Sequence, residues 1–292
     1  MLTVRAYAKV NLTLEVLGKR EDGYHQIASV MQTIDLCDEL RFAPSDHLML
    51  RCNLPSLETP DNLVLKAATL LKEHTGYSGG MDIYLNKAIP LASGLGGGSS
   101  DAAATLKALN RLWGLDLRHE ELLPLAASIG SDVSFFLLGG TAIAEGRGEE
   151  VHEIPPMPTV HLVLLAPPMW FDKLTMSGAD KTATMYSHLA PEQYTGGEAS
   201  LQLRRCIEDG KRPNAGMLCN AFEGVAFDLF PPLEVCRRAM LEAGADWVRL
   251  AGSGPALYTF AGSSSEALAM AEKLREGGYE AYAAATVGPR SS

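Results

Sequence analysis

Apolar and polar residues alternate strictly from position 7 to 16, with Ala8, Val10, Leu12 and Leu14 on one side and Tyr7, Lys9, Asn11, Thr13 and Glu15 on the other. A period of two predicts one half-buried β-strand whose polar row faces away from the core. A polar loop over 18–25, with glycines near both ends, leads into a second strand-like run over 27–36. Helical spacing of apolar residues follows at 62–73, 101–113 and 120–129, and alternation returns at 81–86. Gly130 closes the last of these helices, and an apolar, helix-like stretch starts directly after it and runs toward Gly139 and Gly140.

The second half opens with a predicted strand at 161–166, followed by helices at 182–189, 199–208, 219–227 and 233–243. Strands at 247–251, 256–260 and 279–287 come next, with a helix at 265–276 between the last two. Strands and helices mixed in this order predict an α+β architecture. A chain of 292 residues is long enough for two domains, and Pro155-Pro156-Met157-Pro158, stiff and incompatible with a helix, divides 1–156 from 157–292.

The densest chemical signal is Pro90-Leu91-Ala92-Ser93-Gly94-Leu95-Gly96-Gly97-Gly98-Ser99-Ser100, a glycine-rich turn that runs into an alanine-rich helix. Glycines let backbone N–H groups turn inward and approach a ligand closely, and a helix N-terminus adds partial positive charge, so the segment suits phosphate. It lacks the Gly-Lys-Ser/Thr ending of a P-loop and carries Ser99 where a dinucleotide fingerprint has its third glycine. A plain connector before a helix is the alternative, and the flanking proline and helix count against it.

Charge narrows the partners. A formal net charge of −10 does not provide the clustered Lys and Arg that nucleic acid or an anionic membrane requires, so anionic ligands must be held by local donors. The five cysteines are an odd number without a Cys-x-x-Cys pair, which suits a reducing compartment and counts against structural zinc. With no visible signal peptide and no apolar run of membrane-span length, a cytoplasmic protein is predicted.

Several side chains invite a chemical reading. Lys9 and Asn11 project from one side of the first strand and would converge on a ligand there, although Lys9 taken alone reads as a lysine on an exposed face. Asp132 reads either as a first-turn carboxylate satisfying orphan N–H groups or as a group that orients a substrate hydroxyl. Tyr24 and His25 suit a flat ligand such as a base, or pack on a domain edge. Gly252-Ser253-Gly254 is either a tight turn or a close approach of backbone to ligand, and no histidine cluster has metal-ligand spacing.

Taken together, Ala8-Lys9-Val10-Asn11-Leu12, Gly18-Lys19-Arg20-Glu21-Asp22-Gly23-Tyr24-His25, the glycine loop, Gly130-Ser131-Asp132-Val133 and Gly252-Ser253-Gly254 resemble the motifs of the GHMP kinase superfamily. Galactokinase, homoserine kinase and mevalonate kinase typify that group. The Lys-x-Asn opening combined with Asp22-Gly23-Tyr24-His25 is the specific part, and is similar to a branch that serves isoprenoid precursor synthesis and whose acceptor carries a cytidyl diphosphate.

The resemblance implies a two-domain α+β GHMP kinase fold with its active site in the cleft between domains. It implies ATP-dependent phosphorylation of an alcohol, with the 90–100 loop around the ATP phosphates, Asn62 near the adenosine and Lys87 on the same side. Lys9 and Asp132 fall on the catalytic pair: Asp132 would orient or deprotonate the acceptor hydroxyl, and Lys9 would offset charge on the moving phosphoryl group. Asn11 would position the acceptor, alongside Gly252 and Ser253. Tyr24 would stack on the cytosine, His25 would read its polar edge, and Tyr186 would form a second wall, with Trp170 and Phe171 as nearby alternatives. Magnesium would accompany the nucleotide, with no metal site built by the protein. Two rivals follow: a homoserine or mevalonate type kinase, whose acceptor gives Tyr24 and His25 no base to stack, and a catalytically silent nucleotide-binding protein, against which the intact Lys9, Asp132 and glycine loop count.

Overall fold

The computed structural model describes residues 1–167 and 178–289. The alternating start of the chain forms two strands rather than one, β1 (Leu2–Asn11) and β2 (Thr13–Lys19), parted by a bend at Leu12. Both pair antiparallel with β3 (His25–Ser45), whose 21 residues run well past the predicted 27–36. β3 is long because its other edge is paired too. Beyond that edge lie β4 (Leu48–Cys52) and β5 (Gly80–Asn86) at one end and β6 (Thr141–Glu145) with β7 (Glu150–Glu153) at the other.

A β-bulge between Tyr7 and Lys9 changes which residues of β1 face which way. Before it, Leu2, Val4 and Ala6 pack into the core under the first helices; past it, Lys9 and Asn11 continue that side, opposite Thr33 and Met31. Ala8, Val10 and Leu12 face the other way and pack on Leu162, Leu164 and Tyr258 from the second half of the chain. Both sides are therefore covered. The polar row predicted to face outward is interior, with Lys9 3%, Asn11 4%, Thr13 0% and Glu15 3% exposed.

The helices over this sheet are α1 (Leu63–Thr75), α2 (Gly97–Leu112), α3 (His119–Ile129) and α4 (Ser131–Leu138). Ala102, Ala103, Ala104 and Ala108 of α2 are small enough to bring its backbone close to the sheet, and all are buried. α2 begins at Gly97, earlier than the predicted 101, because Gly96 at φ +74° turns the chain directly into the helix. The last residues of the glycine loop are thus the first helical turn.

The second half contributes β8 (His161–Ala166), α5 (Gly178–Ser187), α6 (Glu198–Glu208), β9 (Cys219–Asn220), α7 (Glu223–Leu229) and α8 (Pro232–Ala243). It ends with β10 (Arg249–Leu250), β11 (Leu257–Ala261), α9 (Ser264–Glu276) and β12 (Glu280–Ala285). Its own sheet has the order β10-β11-β8-β12. The predicted helix at 219–227 is corrected: residues 219 and 220 pair in parallel with Thr13 and Leu14 of β2, and the helix starts only at Glu223. Asn220 causes the break, since its Oδ1 accepts from the Phe222 N–H at 2.9 Å while its Nδ2 donates to the Leu250 and Gly252 carbonyls. Among the described residues no helix is long and apolar enough to cross a membrane.

The glycine loop and the turn after β10 interlock. A Cβ on Gly94, at φ +84°, would lie 2.1 Å from the Ala251 carbonyl oxygen. Gly94→Ala should therefore destabilise the chain by about 2–3 kcal/mol or more in urea denaturation. A loss below about 1 kcal/mol would mean that the two turns separate freely.

Candidate active site

A cavity of about 1130 Å³ lies between the glycine loop, the 18–25 loop, α4, α5 and the turn after β10. Every sequence-predicted site position lines it except Leu95 and Ser100. The Leu95 side chain is buried in the core and its carbonyl accepts from the Lys9 N–H at 3.0 Å, while Ser100 donates its N–H to Gly96 and lines a separate cavity behind α2.

At the floor stands Lys9. Its Nζ donates to Asn11 Oδ1 at 2.6 Å and lies 3.4 Å from Asp132 Oδ2. The two partners differ in depth: the Lys9 side chain is 4% exposed and that of Asp132 is 40% exposed. Asp132 sits in the first turn of α4, where a helix favours a negative charge. A buried ammonium needs such company, because an uncompensated charge in the interior is strongly destabilising.

Behind Lys9 the polar groups form a continuous chain. Asn11 Nδ2 donates to Ser29 Oγ at 2.8 Å, and Ser29 Oγ donates to the Thr13 carbonyl at 2.6 Å. Thr13 and Ser200 share a hydrogen bond of 2.9 Å between hydroxyls, and the Ser200 N–H at the start of α6 donates to Glu15 at 2.7 Å. Buried polar atoms so connected hold Asn11, and through it the lysine, in one orientation.

The loop itself supplies donors from the first turn of α2, whose early N–H groups have no intrahelical acceptor. Space around its glycines is unequal. A Cβ on Gly96 would fall 2.7 Å from the Phe136 ring and 3.2 Å from Lys9 Cε, and one on Gly97 would fall 3.1 Å from Lys87 Nζ, whereas Gly98 has ordinary room. Ala92 holds φ 50°, a left-handed conformation that a residue with a Cβ rarely adopts.

Two positions expected to bind nucleotide are otherwise engaged. Lys87 Nζ donates to Asp101 Oδ2 at 2.8 Å and to Asp38 Oδ2. Burial works to lower its pKa, but the Asp101 and Asp38 carboxylates outweigh that and hold it above the usual value. Asp38 also accepts from the Ala88 and Ile89 N–H groups, so the triad braces the strand end that feeds the loop. Asn62 caps α1, with Oδ1 accepting from the Val64 N–H at 2.9 Å and Nδ2 donating to the Leu57 carbonyl at 3.0 Å. Both residues line the cavity with their side-chain polar atoms already paired.

At the far end, Tyr24 is 56% exposed, with the Arg147 guanidinium 4.8 Å from the centre of its ring. His25, expected to read the edge of a base, stacks on Tyr186, the ring expected as a second wall, at 4.8 Å and 14°. Tyr186 is fixed from behind by Phe222, edge-on at 4.8 Å. Burial, helped by the Lys19 ammonium, pushes the His25 pKa down, which leaves a neutral ring with one donor and one acceptor nitrogen. Trp170 and Phe171 lie outside the described residues.

The Gly252 turn closes the site. A Cβ there, at φ +56°, would lie 2.8 Å from the Gly94 carbonyl, 3.1 Å from Lys9 Nζ and 3.2 Å from Asn11 Oδ1. Ser253 Oγ is 3.0 Å from Thr182 Oγ1. Lys181, which sequence reasoning missed, donates to the Ala92 carbonyl at 2.5 Å and to the Gly254 carbonyl, tying the two turns together. Burial and the Lys9 ammonium push its pKa down to about 7. Also missed were Asp38, Asp101, Arg147 and Asn220; of these only Asp101, directly after the loop, carried a local signal.

Residues 62–140 match the GHMP kinases N terminal domain and residues 202–280 match the GHMP kinases C terminal family. The chain belongs to the GHMP kinases, the class that its fold and glycine-loop site define. It is 45% identical over 289 residues to a 4-diphosphocytidyl-2-C-methyl-D-erythritol kinase of Dehalococcoides mccartyi, covering 99% of each chain. A crystal structure of 4-(cytidine 5'-diphospho)-2C-methyl-D-erythritol kinase matches with a TM-score of 0.81 at 35% identity, over 98% of this chain and 100% of that one. Within the GHMP kinases the chain therefore belongs to the 4-diphosphocytidyl-2-C-methyl-D-erythritol kinases. Homoserine kinase from Cytophaga hutchinsonii, at a TM-score of 0.70 and 20% identity over 99% of this chain and 96% of that one, shares the fold.

The paired state of Lys87 is directly testable. Lys87→Met leaves two buried carboxylates without their cation and should lower the unfolding free energy by about 3–5 kcal/mol, with the KM for ATP changing less than about threefold in the folded protein. A stable variant with a KM for ATP raised tenfold or more, about 1.4 kcal/mol, would make Lys87 a direct phosphate ligand.

Proposed function

We propose that the chain transfers the γ-phosphoryl group of ATP to the 2-hydroxyl of 4-diphosphocytidyl-2-C-methyl-D-erythritol, giving the 2-phosphate and ADP. The observation that carries this reading is the Lys9 ammonium between Asn11 and Asp132, at the point where the glycine loop and the Gly252 turn meet. A unit over 1–156 would supply Lys9, the loop and Asp132, and a unit over 157–292 would supply Tyr186 and the turn. The reaction belongs to the methylerythritol phosphate route to isoprenoid precursors, in the cytoplasm.

Each group has a part in the chemistry. N–H groups at the start of α2 receive the nucleotide's phosphates. Asp132, at the mouth, accepts a hydrogen bond from the acceptor hydroxyl and orients it in line; as the new O–P bond forms and the bond to ADP breaks, the hydroxyl proton passes to the carboxylate. The transition state is loose and needs little prior deprotonation, so orientation is the larger share of this role. Lys9 lies against the charge on the moving phosphoryl group, and Asn11 fixes Lys9. At the other end Tyr24 offers a stacking face and neutral His25 a hydrogen-bonding edge, with His25 turning off Tyr186 to admit the base.

Magnesium would arrive with the nucleotide. Among the described residues no three His, Cys, Asp or Glu side chains gather as a metal-binding group. Asp101 has an unpartnered buried oxygen beside the loop, but its charge is already engaged by Lys87 at 2.8 Å, which makes it a poor ligand. The ion would be carried through the nucleotide's phosphates and would offset their charge there.

Asp132→Asn should lower kcat by about a hundredfold or more with little change in the KM for ATP. Combined with Lys9→Met, the loss should be smaller than the sum of the two; strict additivity in free energy would mean that the residues act separately.

An ADP-release assay over a panel of acceptors tests the substrate. The cytidyl diphosphate compound should be used efficiently, and Tyr24→Ala should raise its KM about tenfold, in line with loss of ~1–3 kcal/mol of stacking, while leaving the KM for ATP in place. Efficient turnover of homoserine or mevalonate with neglect of the cytidyl compound would leave only the kinase fold standing.

A further inference from the structure

A second cavity, of about 550 Å³, lies behind the glycine loop, between β1, α2 and the segment that joins α4 to β6. α2 separates it from the active site. The helix turns Ala104, Lys107, Ala108 and Arg111 toward it, and Leu2, Val4 and Phe136 give it an apolar wall.

Two polar groups on its lining are left over by the fold. Thr33 is only 5% exposed, and its hydroxyl oxygen has no hydrogen-bond partner among the described residues. Native interiors rarely leave such a group unpaired. Lys107 is half-buried, and burial alone pushes its pKa down, with no carboxylate among the described residues to oppose it. Glu39, the carboxylate that also lines the cavity, is already bonded to Arg41 at 2.8 Å. Arg111, one turn beyond Lys107 on α2, adds a second cation at the exposed end.

We propose that this cavity is a second ligand site, which takes a small amphipathic anion: a carboxylate or phosphate head at Lys107 and Arg111, and an apolar chain along Leu2, Val4 and Phe136. The Thr33 hydroxyl gives such a ligand one further hydrogen bond inside. A cavity of this size and mixed lining is ordinary for a small-molecule site. Its position matters, because the Phe136 ring that lines it is the ring against which Gly96 packs. Gly96 lines the active-site cavity, so the ring stands directly behind the glycine loop.

Titration calorimetry on the full chain with octanoate and octyl phosphate tests the site, with octylammonium and inorganic phosphate as controls. At least one of the two anions should bind one-to-one with a Kd below about 1 mM, and whichever binds better identifies the head group. Both controls should bind at least about tenfold more weakly. Lys107→Met, which removes a half-buried cation without an ion-pair partner among the described residues and so should fold, is expected to weaken binding at least about tenfold; Arg111→Gln, on the exposed rim, should weaken it less. Saturating ADP should not displace the bound anion. No saturable binding of either anion, binding indifferent to both substitutions, or competitive displacement by ADP would each overturn the assignment.

Discussion

A single ammonium group at the floor of the cleft must be surrounded by acceptors, and much of this fold is the means of surrounding it. Lys9 reaches that position because a β-bulge re-aims β1 just before it, sending a residue of polar alternation into the helix-covered side. Asp132 comes from the first turn of α4, and Asn11 from the same strand two residues on. Asn11 is held in turn by Ser29, and the network continues through Thr13 and Ser200 to Glu15, which satisfies N–H groups at the start of α6. The lysine is thus connected to a helix of the second half by polar bonds alone.

Close approach of three backbones is the second constraint. The glycine loop, the end of β1 and the turn after β10 meet where any side chain would collide, which is why Gly94, Gly96 and Gly252 all hold positive φ with backbone or Lys9 atoms within 3.2 Å of their absent Cβ. Lys181 and Asn220 fasten this junction from outside by donating to carbonyls of both turns or of the β10 end. The glycine-loop end of the cavity is therefore braced by construction, whereas the other end, where the proposed reaction would place the base, rests on a surface loop in which Tyr24 is exposed.

What the sequence reveals follows the range of each interaction. The glycine loop and most of the helices were legible, and Asp132 was singled out, because their signals are local: turn residues, caps and spacing within one segment. Lys9 and Asn11 were found as candidates, but their burial was not foreseen, since alternation cannot tell a solvated face from one covered by distant elements. Lys87 was placed near the nucleotide by the family resemblance and its position just before the loop, whereas its partner Asp38 lies in another strand and the contact of His25 with Tyr186 joins the start of β3 to α5, so neither pairing leaves a local trace. β9 was read as helix because two residues of parallel pairing leave no periodic trace.

Electrostatics then explains how a chain of net charge −10 handles two anionic substrates. Three lysines stand around the loop, yet they are not equivalent. Lys87 has its charge met by two buried carboxylates, and Lys181 is bound to carbonyls and disfavoured as a cation by burial and by Lys9 itself. Lys9 alone among them faces the point where the loop, Asp132 and the Gly252 turn converge. At the loop itself, further positive potential comes from the N–H groups and dipole of α2, which carry no counterion and need no side-chain reorganisation. In the proposed reaction, one full charge at the reacting centre with the rest left to backbone donors would let the site hold phosphate without a basic surface, which is consistent with a net charge of −10.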